Sequence, residues 1–143
     1  MIKVILKNLI IILILTKTIA NDDIKFEKSQ LKNILFKYFS TENKPDLIGN
    51  QFYKNKHGNV VQIDIENITN NINDTIFMCF QTLNKFSKMS KEPINELVVI
   101  IHFKNNNLPI VISANNDCLN KFFNSSIVNK LDWKNNCLNI GDL

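Results

Sequence analysis

The hydrophobic rhythm of this chain changes repeatedly, and each change marks an element. Leu9 to Leu15 is an unbroken apolar run. Ile24, Leu31, Ile34, Leu35, Tyr38 and Phe39 then recur at helical spacing, with Lys25, Lys28, Lys32 and Lys37 decorating the rest. With Asp22 or Asp23 as a cap, this pattern predicts a helix over about 23–39. Ser40 to Pro45 is polar and ends it. A short strand near 50–54 follows, with a turn at Lys56-His57-Gly58. Val61, Ile63 and Ile65 next alternate with Gln62, Asp64 and Glu66, the period of a half-buried strand with one wet face. Asn73 or Asp74 then caps a second helix reaching about Met89. Its stripe is Ile76, Cys79, Phe80, Leu83 and Phe86, and Phe77 and Met78 fall outside that stripe.

Leu97 to Phe103 is apolar at both parities, which predicts a central strand covered on both faces. Asn105 to Asn107 is a turn, and Leu108 to Ala114 is the return strand. A three-residue loop sets His102 opposite Ile110. Pro109 has no ladder donor, so the return strand is expected at an edge, or to start at one. Asn115 or Asn116 caps a short third helix carrying Leu119, Phe122 and Phe123. The tail, with Leu131, Trp133, Leu138 and Ile140, reads as a small hairpin or an extended strand. The expected fold is a single α+β domain over 21–143. It has a mostly antiparallel sheet of four or five strands, two main helices and a short third. The path from strand 59–66 through the second helix to strand 97–103 is a candidate parallel crossover.

The first apolar run has a different meaning. Lys3 and Lys7 precede it, and Thr18-Ile19-Ala20 places small residues where a leader is cut. This is the layout of a secretory signal peptide over residues 1–20, with cleavage after Ala20. The run is shorter than the ~20 residues that a membrane span requires. Cleavage leaves 123 of 143 residues, enough to bury one core. It also changes the charge. The chain has 17 basic and 13 acidic residues, net +4. Lys3, Lys7 and Lys17 leave with the leader, so the mature balance is 14 against 13, net +1. The pI near 9.0 is therefore partly the leader's property and is not read as a nucleic-acid footprint. Arg, the preferred fork for phosphate and guanine, is absent from the chain.

Export changes how the cysteines read. Cys79, Cys118 and Cys137 make an odd set, so one intramolecular bridge is the most that forms. Cys79 sits in a core stripe, whereas Cys118 and Cys137 share the C-terminal region, so the expected disulfide is Cys118–Cys137. Three segments, at Asn67, Asn73 and Asn124, match the N-glycosylation acceptor pattern, which is no excess in a chain this rich in Asn.

Candidate chemistry is sparse. Asp64 and Glu66 point the same way and form a carboxylate pair suited to a hard cation or to acid/base work. Such pairs are also ordinary on a wet strand face. His102 lies on the face shared with Val98 and Ile100, where a packed sheet histidine is the simpler reading. Phe52, Tyr53, Lys54, Lys56 and His57 mix rings with positive charge and form a candidate interaction patch. Trp133 reads as a plug for the core. The chain carries no catalytic, metal-ligating or cofactor-binding signature, and three scattered glycines cannot build a phosphate loop.

The leading expectation is a small exported, non-catalytic protein acting by protein–protein contact. That class covers periplasmic inhibitors, immunity-type proteins and accessory factors of an envelope or secretion system. Its partner is another protein, with no cofactor, no nucleic acid and no stable membrane span after cleavage. The alternatives are a small secreted hydrolase or toxin using Asp64 and Glu66 with a His, and a membrane-tethered protein with its signal uncleaved.

Overall fold

The two strands that the apolar rhythm marks most clearly lie side by side and parallel. They need a long crossover, and the second helix supplies it. The computed structural model describes residues 25–66, 71–105, 107–124 and 130–142. The expected leader and the Asn67-Ile68-Thr69 match lie outside them. The elements run α1 (Lys28–Phe39), β1 (Asp46–Asn55), β2 (Gly58–Glu66), α2 (Ile72–Lys88), β3 (Glu96–His102), β4 (Ile110–Asn115), α3 (Asn116–Phe123), α4 (Lys130–Cys137) and β5 (Leu138–Asp142). One sheet has the spatial order β1-β2-β3-β4-β5, antiparallel except for β2–β3. This is the expected α+β domain.

Local chemistry sets the helix starts. Glu27 caps α1, and its backbone N–H donates to Gln30 Oε1 at 2.9 Å. Lys25 to Glu27 are not helical, so α1 begins later than the stripe alone predicts. Asn71 caps α2 by accepting from the Asp74 N–H at 3.3 Å. Asn115 Oδ1 caps α3 by accepting from the Asp117 and Cys118 N–H groups at 2.9 and 3.1 Å.

The described helices contribute to one core on one side of the sheet. Leu35 and Phe39 of α1, Ile76, Cys79, Phe80 and Leu83 of α2, Leu119 of α3 and Trp133 of α4 join it. The strands supply Val61, Ile63, Ile65, Leu97, Val99, Ile101, Ile112 and Ala114. Trp133 is fully buried, with Phe77, Phe80 and Phe123 centroids 5.7, 5.9 and 5.4 Å from its own. Phe77, off the main stripe of α2, is thus covered by the C-terminal helices. A polar clamp also joins α2 to α3. Asn84 Nδ2 donates to Asn116 Oδ1 and Asn120 Oδ1, both at 2.8 Å, and Asn116 Nδ2 donates to Ser87 Oγ and the Ile94 carbonyl, both at 2.9 Å.

Further details differ from the sequence reading. β3 is central, but described helices cover only one of its faces; on the other, Val98 is buried and Ile100 half-buried. β4 is interior, because β5 pairs along its outer side, and Pro109 avoids the ladder by preceding Ile110. Ile101, not His102, lies opposite Ile110. The connection is longer than a tight turn, and this register sends Ile112 and Ala114 into the core beside Val99 and Leu97. Finally, the tail is a helix followed by a strand, where a hairpin or a lone strand was expected.

Candidate functional site

Every described helix lies on one side, so no described helix covers the other face, called the open face below, and strand alternation decides what it carries. Cross-strand partners share a face, so rows can be read from the register. One row holds Asp46, Glu66 and His102. The next holds Gly49, Asp64, Ile100, Val111 and Gly141. Then come Gln51, Gln62, Val98, Ser113 and Asn139. The last holds Tyr53, Val60, Glu96 and Asn115. In the two middle rows β3 and β4 therefore carry small or apolar residues, Val98, Ile100, Val111 and Ser113, and carboxylates sit towards both ends.

At one end the expected carboxylate pair meets His102. Asp64 Oδ2 lies 3.9 Å from His102 Nε2, and Glu66 Oε2 lies 3.8 Å from Lys104 Nζ. The His102–Asp64 separation exceeds a direct hydrogen bond, and the buried Nε2 has no partner among the described residues. A chain of side chains runs on from Asp64. Gln62 Nε2 donates to Asp64 Oδ1 at 2.8 Å, and Tyr53 Oη donates to Gln62 Oε1 at 3.3 Å. Partial burial, then the negative charges of Glu96 and Asp64, push the Tyr53 phenol above its ordinary pKa. Tyr53 therefore stays a proton donor at neutral pH.

The arrangement has the parts of an acid/base pair but no adjacent nucleophile in the register. Ser113 pairs with Val98, four residues along β3 from His102, or ~13 Å at the usual strand rise. His57 sits in the β1–β2 turn, and it lines a cleft with Glu96 at the opposite end of the face. It does not join Asp64 and Glu66. Among the described residues, no group of three or more His, Cys, Asp or Glu is arranged to hold a metal ion.

The sequence patch at 52–57 is divided by its own strand. Phe52 faces the helix layer and packs on the core, with Lys32 Nζ 5.9 Å from its ring centroid. Tyr53 takes the open face, and Lys54, Lys56 and His57 are exposed near the turn. Cys118 and Cys137 are at bonding distance, with Cα atoms 5.6 Å apart, and Cys79 is free and buried. Burial pushes the Cys79 thiol up to about 12, the opposite of what a nucleophile requires. In the Asn73 acceptor match, Asn73 lies in the first turn of α2, and Thr75 is buried.

Sequence reasoning found Asp64, Glu66 and a His as a possible set but left open whether His57 or His102 joins the carboxylates. It missed Tyr53–Gln62 as a link and Glu96 as a second carboxylate end. Alternation within β2 and β3 was the available signal, and a parallel crossover was expected; the register that aligns Asp64 with Ile100 was not readable from it. Comparisons with protein families, with curated proteins and with solved structures give no match for this chain.

Proposed function

We propose that this chain is an exported protein that acts by contact with another protein, and that its contact surface is the open face of the sheet. One observation carries the reading. Half-buried Ile100 and Val111 flank buried Val98 to form an apolar strip with no described helix over it, rimmed by Asp46, Asp64 and Glu66. An apolar centre within a charged rim is the anatomy of a protein interface. The rim's sign selects a partner with a basic contact surface. Export is supported by the N-terminal leader pattern and by the Cys118–Cys137 pair, since disulfides persist in oxidising compartments. No described helix is long and apolar enough to cross a membrane. The tethered alternative is decided by the mass of the exported protein: a chain starting at Asn21 supports cleavage, and one starting at Met1 overturns it.

The interface is tested by photo-crosslinking in the native envelope. A crosslinker at Val111 or Ser113 should capture one basic partner, and one at Phe36 on α1 should not. The Asp64→Lys/Glu66→Lys variant should lose that capture, and Lys37→Glu should keep it. Capture from Phe36 alone, or capture indifferent to the charge reversals, overturns the proposal.

The 3.9 Å approach of Asp64 to His102 favours one second reading, a hydrolase in which this pair activates water. Its mark is turnover of an ester, amide or glycosidic substrate by the isolated protein, abolished in His102→Gln. Crosslinking from Val111 should survive that substitution.

A further inference from the structure

At the Glu96 end of the open face, His57, Asn95, Glu96, Asn115 and Asn139 line a cleft of about 210 Å3. They arrive from the β1–β2 turn, the start of β3, the end of β4 and β5. Every lining side chain is polar, and the existing hydrogen bonds determine what each can still offer. Asn95 Oδ1 accepts the Asn59 N–H at 2.9 Å. Gly58 permits this: its φ is +120°, and a Cβ there would lie 2.2 Å from the Asn95 oxygen. Asn115 Oδ1 is committed to the first turn of α3. Both amides are left with N–H groups to donate. Glu96 Oε2 accepts from Asn55 Nδ2 at 2.6 Å, which leaves its second oxygen as an acceptor.

This set discriminates among ligand chemistries. The Glu96 carboxylate opposes an anion. The Asn95 and Asn115 oxygens are committed, so these two amides offer donors where a cation needs acceptors. A lining of polar side chains favours a polar ligand over an apolar one. A hydroxyl both accepts and donates, so adjacent hydroxyls satisfy the amide donors and the carboxylate together. We propose that this cleft binds a neutral polyhydroxy ligand, a single saccharide ring. Asn95, Asn115 and Asn139 donate to its oxygens, and Glu96 accepts from one hydroxyl. The cleft is smaller than the ~300–1,000 Å3 of drug-sized sites, which fits one ring and not an extended chain. The site lies away from the Asp64–His102 end and stands independently of the protein-contact reading.

The test is a titration of the intact exported protein, following side-chain amide resonances by NMR. The probes are glucose, galactose, N-acetylglucosamine and inositol, with lysine and glucuronate as charged controls. At least one neutral probe should shift the Asn95, Asn115 and Asn139 amides while leaving Asn124 unmoved. Asn139 is exposed, so Asn139→Ala should fold normally and weaken binding ~2–10-fold. Glu96→Ala, with folding checked by its melt, should weaken it tenfold or more. Three outcomes overturn the proposal: no shift with any neutral probe, shifts equal at Asn124, or cleft shifts produced only by a charged control.

Discussion

Two buried residues were legible from sequence as core but not in their consequences. Cys79 falls on the helical stripe, and its full burial follows from that spacing. Its raised pKa makes alkaline stability a test. The folded state holds the thiol proton to about 12, against an ordinary 9.0 in the unfolded chain. Above pH 9 the unfolded state therefore releases a proton that the folded state keeps, and stability falls as pH rises towards 12. The slope is at most ~1.4 kcal/mol per pH unit from this group. Tyr53, also raised, adds to the fall in the same direction. Urea melts at pH 8 and pH 10.5 should differ less for Cys79→Ala than for the wild type; an equal difference removes the assignment. Native Cys79 should also resist thiol reagents and label as a single site once the unreduced protein is denatured. Trp133 was readable as a plug, but its aromatic cage was not, because Phe77 and Phe80 come from α2, distant in sequence, and meet Phe123 of α3 only in the fold. Its buried Nε1 has no partner among the described residues. Trp133→Ala should cost ~3–5 kcal/mol, measured by denaturant melts. Trp133→Phe should cost clearly less, because it keeps a ring and removes the orphaned donor.

At the scale of elements, most boundaries followed local signals, and the misreadings came where a distant partner decided. The β3–β4 register is an example. A short turn pairs His102 with Ile110, but the core needs Ile112 and Ala114 inside, and burial outweighs turn economy. The tail is another. Residues 130–137 show weak periodicity, yet they are helical where Trp133 enters the core and Cys137 meets Cys118. That bridge ties α4 and β5 to the first turn of α3, so its loss should be felt there first. A Cys118→Ala/Cys137→Ala variant should lose about 3 kcal/mol, the usual effect of closing a loop of this length. Amide exchange should accelerate in α4 and β5 before β2 and β3, whose apolar sides are core. Uniform acceleration across the sheet would show that the tail is not a separable unit.

At the scale of the whole molecule, layering matters most and was least legible. Alternation says that a strand has a wet face, but it cannot say that the wet faces of five strands coincide. Their coincidence gathers Asp46, Asp64, Glu66 and Glu96 on one surface, against Lys104 and His102. The helix layer carries Lys28, Lys32, Lys37, Lys85 and Lys88. The chain is therefore polarised, although removal of the proposed leader would leave a net charge of only +1 (14 against 13). A near-neutral protein with such an asymmetry interacts through its local field more than through its total charge. At pH 7 and low salt, residues 21–143 should be retained on an anion exchanger despite the full chain's pI near 9.0. Salt should release them as the Debye length shrinks from ~30 Å at 0.01 M to ~10 Å at 0.1 M. An Asp46→Asn/Asp64→Asn/Glu66→Gln variant should pass through at low salt, whereas exchanging three acids off this face, Glu42, Glu92 and Asp132, should leave retention largely unchanged. If both triple variants behave alike, net charge and not the open face governs, and the case for an acidic docking surface fails with it.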